Sequence, residues 1–249
     1  MKSRKLISLV LSLAMVLSLV TVPAFAADAG ATAPISAAKS FPDTVDHWAE
    51  KAIGRWAGYG VVKGDEAGKF NPDADLTRAS LATILADFLK LSTKAKNEYS
   101  DVPADAWYAD AVLKCTAAGI LKGSEGLAKP GDNVSRQEAM VMIGRALGIA
   151  PAAKADLAGF TDGATVADWA AGYVTALTQS KIVAGVGENQ VAPLVNINRA
   201  SILSILDKAV SDYIAAPGTY DKVLGTGIVA IVVPDVILKG NKIAGSLLV

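Results

Sequence analysis

One pattern of residues recurs three times between residues 41 and 213, and this repetition constrains the fold more than any other feature of the chain. Each copy begins with an aromatic residue two positions before an aspartate and continues with a tryptophan. A glycine follows sixteen residues after the tryptophan, and a proline stands six residues before an arginine. The landmarks are Asp43, Trp48, Gly64, Pro72 and Arg78 in the first copy, Asp101, Trp107, Gly123, Pro130 and Arg136 in the second, and Asp162, Trp169, Gly185, Pro193 and Arg199 in the third. Chance would not align these landmarks three times, which indicates three copies of one supersecondary unit.

Each copy has the apolar spacing of two helices joined by a loop. In the first copy, Trp48, Ile53 and Trp56 suit one face of a first helix, and apolar residues between Leu81 and Leu89 recur at helical spacing in a second. The loop glycine is predicted to occupy a turn in which the backbone has a positive φ. One helix pair of this size cannot bury its apolar face alone. Three pairs can stack in a line or close around a pseudo-threefold axis, and composition does not choose between these arrangements.

Each second helix is predicted to begin with a capping side chain followed directly by an arginine. The pairs are Thr77 with Arg78, Ser135 with Arg136, and Asn198 with Arg199. Thr, Ser and Asn accept a hydrogen bond from the first helical turn, and a helix start attracts anions through its free N–H groups and its dipole. An adjacent guanidinium matches a carboxylate with two parallel hydrogen bonds. Three such corners in register predict three anion-binding sites, and the alternative is three well-capped helices with solvated arginines.

The amino-terminal region is typical of a secreted protein. Residues 1–26 have a basic start, an apolar run and small residues before a predicted cleavage site, as in a signal peptide, and residues 27–40 are predicted to form a flexible leader. The formal net charge is zero, so removal of the three cationic signal residues leaves about −3, which argues against nonspecific nucleic-acid binding. No later stretch is apolar over the length that a membrane-spanning helix needs. Cys115 is the only cysteine, which excludes an internal disulfide, and it is predicted to be a buried small apolar residue.

The carboxyl-terminal region has a different character. Residues 217–249 are rich in β-branched side chains and interrupted by glycines, which predicts short strands with turns near Gly240 and Gly245. Because a sheet needs partner strands, this segment is interpreted as an edge strand on another element or as the start of a truncated β domain.

The repeats resemble the S-layer homology domain. The resemblance rests on Phe41-Pro42-Asp43, His47-Trp48-Ala49 and Gly68-Lys69-Phe70-Asn71-Pro72, and on the arginine motif that opens each second helix. It divides the chain into repeats at residues 41–98, 99–159 and 160–216. It implies a mainly α fold, a monomeric pseudo-trimer in which each repeat gives one helix to a central bundle and one outer prong, with grooves between the prongs. The implied function is noncovalent anchoring of a secreted protein to a bacterial cell wall, through a secondary cell-wall polysaccharide whose sugar bears a pyruvate ketal.

The resemblance also implies roles for matching residues. The arginines would pair with the ketal carboxylate, the aspartates are candidates for sugar hydroxyls, the tryptophans would pack on a sugar face or in the core, and the glycines would let the ligand approach the backbone. Lys63 and Lys122 precede two of these glycines and would add charge, whereas Ala184 takes that place in the third repeat. The motif glutamate survives only as Glu138. The ligand-binding residues implied are Arg78, Arg136, Arg199, Asp43, Asp101, Asp162, Trp48, Trp107, Trp169, Gly64, Gly123, Gly185, Lys63 and Lys122.

Three alternative interpretations of the sequence are an enzyme, a protein-binding module and a peptidoglycan tether. Asp43, Asp46 and Glu50 could be paired carboxylates of a glycosidase, but acidic residues near a helix start are usually caps and dipole partners. The single histidine, His47, has no Cys or second His for a metal site, so neither catalysis nor a metal or other cofactor is expected. The chain could instead be a protein-binding helical module, or a tether that grips peptidoglycan.

Overall fold

Six α-helices form the framework of the three repeats. The computed structural model describes residues 37–153, 155–221, 223 and 225–249, and the predicted signal peptide and most of the predicted leader lie outside these residues. In this range the helices are α1 Glu50–Gly58, α2 Arg78–Phe88, α3 Ala109–Ala117, α4 Arg136–Ala146, α5 Asp168–Gln179 and α6 Arg199–Ala209. Short 3₁₀ turns at Pro42–Thr44 and Gly163–Thr165 precede the first and third pairs. The predicted mainly α fold with two helices in each repeat is confirmed. No helix in the described part of the chain has the length and apolar character needed to cross a membrane.

The second helix of each repeat begins where its capping residue predicts. The Ser80 N–H donates to Thr77 Oγ1 over 3.2 Å, and the Ser201 N–H donates to Asn198 Oδ1 over 2.9 Å. In the second repeat Ser135 and Glu138 form a reciprocal capping box. The three arginines therefore all stand at the first helical position, in equivalent places.

The helix pairs close into a ring. The second helix of each repeat packs against the first helix of the next, α2 on α3 and α4 on α5, and α6 of the third repeat returns to pack on α1. Three backbone hydrogen bonds repeat this closure beside the helix starts: Leu76 donates to Ile197 over 3.0 Å, Ile197 to Val134 over 2.9 Å, and Val134 to Leu76 over 2.8 Å. A linear stack would leave the first and third repeats apart, so the chain adopts the closed pseudo-threefold arrangement.

The core lies inside this ring. The second helices α2, α4 and α6 bury residues on most of their surface, whereas α1, α3 and α5 bury one face and form the outer layer. Cys115 is fully buried, as predicted, and burial raises the pKa of its thiol to about 12. A thiol with this pKa stays protonated and behaves as a small apolar group.

The carboxyl-terminal segment is a parallel coil of short strands. Strands β1 Val210–Ile214, β3 Ile228–Ile231 and β5 Ser246–Leu248 form one parallel sheet, and β2 Gly218–Tyr220 pairs in parallel with β4 Val236–Leu238. Paired residues such as Val210 and Ile228 lie 18 positions apart, as do Ile228 and Ser246, so each turn of the coil takes about 18 residues. The strands thus begin at Val210, directly after α6, and not after Pro217.

The coil shares its first strand with the helical core. Tyr213 of β1 is almost fully buried, stacks on Phe88 at 5.4 Å and meets Trp56 edge-on at 5.3 Å. Its hydroxyl donates to the Phe88 carbonyl over 2.6 Å. The β-rich segment is therefore packed on the bundle by an aromatic cluster.

Candidate functional site

Each of the three arginines reaches from its own repeat into the loop of the next. Arg78 donates from Nε to the Ala128 carbonyl over 2.9 Å and from Nη2 to the Lys122 carbonyl over 3.3 Å. Arg199 makes the matching bonds to the first repeat, to Phe70 and Lys63, both over 3.0 Å. Arg136 bonds to the Val191 carbonyl over 3.0 Å. The guanidinium groups are thus built into the junctions between repeats, which rules out the alternative of solvated arginines.

The free N–H groups expected at the helix starts are already used. Arg78 and Ala79 donate their backbone N–H groups to the Asp132 and Pro130 carbonyls over 2.9 and 3.0 Å. The same bonds recur from α4 to the loop of repeat three and from α6 to the loop of repeat one. The prediction that free helix N–H groups contribute to an anion site is therefore wrong, because ring closure occupies them. Positive charge at these corners comes from side chains.

The arginines differ in how their charge is balanced. Arg78 forms an ion pair with Glu138, with 3.3 Å between Nη1 and Oε1. Arg136 is only 9% exposed, and burial lowers the pKa of its guanidinium although Asp162 acts in the opposite direction. Burial likewise lowers the pKa of Arg199, whose guanidinium lies 4.4 Å from the centre of the Phe70 ring. Arg136 and Arg199 nevertheless stay charged at neutral pH, because a guanidinium is not deprotonated in proteins.

The three repeat aspartates clamp the loops of their own repeats. Each carboxylate accepts two consecutive backbone N–H groups. Asp43 accepts from Phe70 and Asn71 over 2.9 and 2.7 Å, Asp101 from Ala128 and Lys129 over 2.8 and 2.7 Å, and Asp162 from Val191 and Ala192, both over 2.7 Å. The pKa of the Asp43 carboxyl lies below its usual value. Burial acts to raise this pKa, but the hydrogen bonds from the two N–H groups lower it by more. This arrangement departs from the expectation of sugar-binding carboxylates, because both oxygens of each are committed to the loop.

The three repeat tryptophans lie on the surface. Trp48, Trp107 and Trp169 are 64%, 69% and 57% exposed. Of the two roles left open for them, packing in the core is therefore excluded. Large exposed aromatic rings at three equivalent places are unusual on a protein surface and are typical of binding sites.

The three loop glycines are required by close packing and not by a positive φ. Gly64, Gly123 and Gly185 all lack a positive φ, so that prediction is wrong. A Cβ at Gly64 would lie 2.8 Å from the Phe41 ring, and a Cβ at Gly185 would lie 3.2 Å from the Phe160 ring. At Gly123 it would come closer still to the Tyr99 ring. The aromatic residue that opens each repeat thus packs against the loop glycine of the same repeat. Both residues are landmarks of the repeat pattern.

A recess of about 440 Å³ lies at the junction of the first and second repeats. Arg78 comes from repeat one, Lys122 and Gly123 come from the loop of repeat two, and Trp169 comes from repeat three. The other polar residues of its lining are Glu138, Ser124 and two cations absent from the sequence-based prediction, Lys129 and Arg145. Motif comparison missed these two because neither matches a cation in both other repeats. The recess thus brings together four cationic side chains, one carboxylate and one exposed indole.

The predicted cations are distributed unevenly over the three junctions. Lys122, Gly123, Arg78 and Trp169 meet in one recess, and Lys63 and Gly64 stand beside Arg199 at the matching junction of repeats three and one. At the remaining junction Arg136 faces a loop in which Ala184 replaces the lysine. Among the described residues, no group of three His, Cys, Asp or Glu side chains is arranged to hold a metal ion.

Comparison with known proteins gives a family and several longer relatives. A family model described as S-layer homology domain matches residues 40–82, 98–140 and 159–202. The chain is 28% identical to the surface-layer 125 kDa protein of Lysinibacillus sphaericus over 76% of this chain and 16% of that protein. It is 30% identical to an amylopullulanase of Thermoanaerobacterium thermosulfurigenes over 68% of this chain and 9% of that one, and 36% identical to the S-layer protein sap of Bacillus anthracis over 43% and 14%. The chain spans less than a fifth of the length of these relatives.

Proposed function

Because the chain belongs to the S-layer homology domain family, we propose that it is a binding module that holds a secreted protein on the bacterial cell wall. Its ligand is an anionic secondary cell-wall polysaccharide, bound in the grooves between repeats. The cell surface is its place of action. The relatives include surface-layer proteins and a polysaccharide-degrading enzyme, which is consistent with one anchoring module joined to different passengers.

The observation that carries this proposal is the recess between repeats one and two. Its four cations outnumber its single carboxylate, in a chain whose formal net charge is zero. Local positive charge of this kind attracts an anionic ligand to one place on the surface. The exposed Trp169 ring beside the cations offers an apolar face for a sugar ring.

The geometry favours a carboxylate carried on a sugar. Arg78 is fixed by two loop carbonyls, so its guanidinium is held in place before ligand arrives. Lys122 is exposed directly beside it and is free to swing toward an incoming anion. A pyruvate ketal presents a carboxylate rigidly on a sugar ring, which suits one fixed and one mobile cation next to an indole.

The test uses residues that contact solvent, because replacing Arg78 would also remove bonds that join two repeats. We expect Lys122→Glu and Trp169→Ala each to weaken binding to purified cell walls by about tenfold or more. Binding is measured by sedimentation of the purified chain with walls over a range of wall concentrations. Lys51→Glu, an exposed change on the outer face of α1, is the matched control and should bind like the parent chain.

The ligand is tested in the same assay with treated walls. Walls freed of secondary polymer, and walls from which only acid-labile ketals have been removed, should both lose the chain. Retention on ketal-free walls would contradict the ketal and leave another anionic group of the polymer as the target. Unchanged binding by Lys122→Glu and Trp169→Ala would overturn the groove as the binding site and favour a protein-binding or peptidoglycan-binding surface elsewhere.

A further inference from the structure

Arg145 adds a second cationic centre to the recess between repeats one and two. It lies in the last turn of α4, is half-buried, and donates from Nη1 to the Ile120 carbonyl over 3.2 Å. Its guanidinium lies 5.8 Å from the centre of the Tyr173 ring. These contacts hold the side chain against the wall of the recess, of which it forms a part.

The charge of this second centre is not balanced at short range. Within the described residues, no carboxylate oxygen lies within 4.0 Å of Arg145 or of Lys129. Arg78, by contrast, has Glu138 as a partner at 3.3 Å. Among the described residues, the recess has one cation with an ion-pair partner, Arg78, and three without, Lys122, Lys129 and Arg145, which is more positive charge than a single carboxylate needs.

The two guanidinium groups are anchored on the same loop. Arg145 bonds to the Ile120 carbonyl and Arg78 to the Lys122 carbonyl. Residues two positions apart in a chain lie at most about 7 Å from each other. Both cationic centres therefore lie along one short stretch of loop, within the reach of one short saccharide, with Trp169 in the same lining.

The other two junctions lack this pair. Arg145 stands nine positions after the motif arginine, where repeat one has Asp87 and repeat three has Lys208. Lys129 corresponds to Asn71 and Ala192. The second cationic centre is thus a property of one junction and not of the repeat pattern.

We propose that the recess between repeats one and two binds a saccharide with two negatively charged groups, the first at Arg78 and Lys122 and the second at Arg145 and Lys129. The second group is a carboxylate, such as that of a uronic acid next to the ketal-bearing sugar. This inference rests on the proposed function and adds to it the charge of the ligand.

The experiment is calorimetric titration of the purified chain with two synthetic disaccharides. Both contain a hexose with a pyruvate ketal, joined to glucuronic acid in the first and to glucose in the second, so that they differ by one carboxylate. We expect the parent chain to bind the glucuronic acid disaccharide about tenfold more tightly. Lys129→Gln and Arg145→Gln should each reduce this preference by about threefold or more, because each weakens binding of the glucuronic acid disaccharide more than binding of the glucose disaccharide.

Two further variants protect this test against misfolding. Arg145→Lys keeps the charge and should keep most of the preference, and the exposed Lys51→Gln should keep all of it. Lys129 is exposed, so its change tests the second centre even if Arg145→Gln fails to fold by circular dichroism. Equal binding of both disaccharides by the parent chain, or a preference that survives in Lys129→Gln, would overturn the inference alone. If the parent chain binds neither disaccharide, both this inference and the proposed ketal ligand are overturned.

Discussion

The arginine-to-loop bonds and the aspartate clamps, which together form the framework of the junctions, are nearly identical in the three repeats. The side chains that line the grooves differ from one repeat to the next. In the framework, the distances from the arginine Nε to the loop carbonyl are 2.9, 3.0 and 3.0 Å, and every aspartate clamp is 2.7 to 2.9 Å long. In the lining, repeat three has Ala184 where the other two repeats have Lys63 and Lys122. Repeats one and three have Asp87 and Lys208 at the position of Arg145. The backbone geometry is repeated closely while the surface charge is not.

This difference has a physical cause. A ring of three repeats closes when the turns at its junctions add up to a full circle, and equivalent hydrogen bonds at the three junctions give each the same share of this turn. An unsatisfied buried N–H group or carbonyl would cost about 1–3 kcal/mol at each junction. A side chain that points into a groove contacts ligand or water, and changing it leaves closure intact. The grooves can therefore take on different specificities on one framework.

The strongest test of framework equivalence removes the loop clamps one at a time. We expect Asp43→Ala, Asp101→Ala and Asp162→Ala each to lower the free energy of unfolding by about 3 kcal/mol, because each leaves two loop N–H groups without a charged acceptor. Urea denaturation followed by circular dichroism measures the three values. Asp105→Ala, at an exposed position without such bonds, should change stability by less than about 0.5 kcal/mol. A clamp whose loss costs less than about 1 kcal/mol would show that its repeat does not depend on the shared framework.

Alanine at the three loop glycines should destabilise the protein to different degrees. The space for a Cβ decreases from Gly185, through Gly64, to Gly123, where the Tyr99 ring is closest. We expect Gly123→Ala to be the most destabilising of the three alanine variants, by about 2–3 kcal/mol, and Gly185→Ala the least, by about 1 kcal/mol. Thermal unfolding of the three variants gives the order. Gly131→Ala meets no atom within 4 Å and serves as the control, and equal losses at all three positions would contradict a steric origin.

Sequence patterns predicted the elements well and their junctions poorly. The repeat landmarks predicted six helices, and the capping residues predicted where the three second helices begin, because these depend on residues close together in the chain. The first helices were predicted less exactly, since α1 begins at Glu50 and α3 at Ala109, after Trp48 and Trp107. Composition did not distinguish a line of repeats from a ring, since closure depends on bonds such as that from Leu76 to Ile197 across more than 100 residues. The strands were predicted, but their parallel stacking was not, because it joins residues 18 positions apart, such as Ile228 and Ser246. Arg145 was missed as a groove residue for the same reason, since it becomes part of the recess only when α4 packs beside the second loop.

The smallest expected effect concerns backbone strain that only repeat one relieves, by placing asparagine at the strained position. The second of the two residues that each aspartate clamps has a positive φ: 56° at Asn71, 52° at Lys129 and 51° at Ala192. Asparagine tolerates this conformation far better than alanine does, because its short polar side chain can bond locally. We expect Ala192→Asn to raise the free energy of unfolding by about 0.5–1 kcal/mol, and Asn71→Ala to lower it by somewhat more, about 1–2 kcal/mol.

The larger loss at Asn71 has its own cause, because the Asn71 amide also donates to Asp65 Oδ2 over 2.7 Å. Urea denaturation measures both changes, and Ala104→Asn, at an exposed position without a positive φ, controls for a general effect of asparagine. If Ala192→Asn gains no stability relative to Ala104→Asn, the loop of repeat three does not store the strain that its φ implies. If it does gain, the divergence of repeat three extends beyond the groove lining to a position where the framework tolerates a less suitable residue.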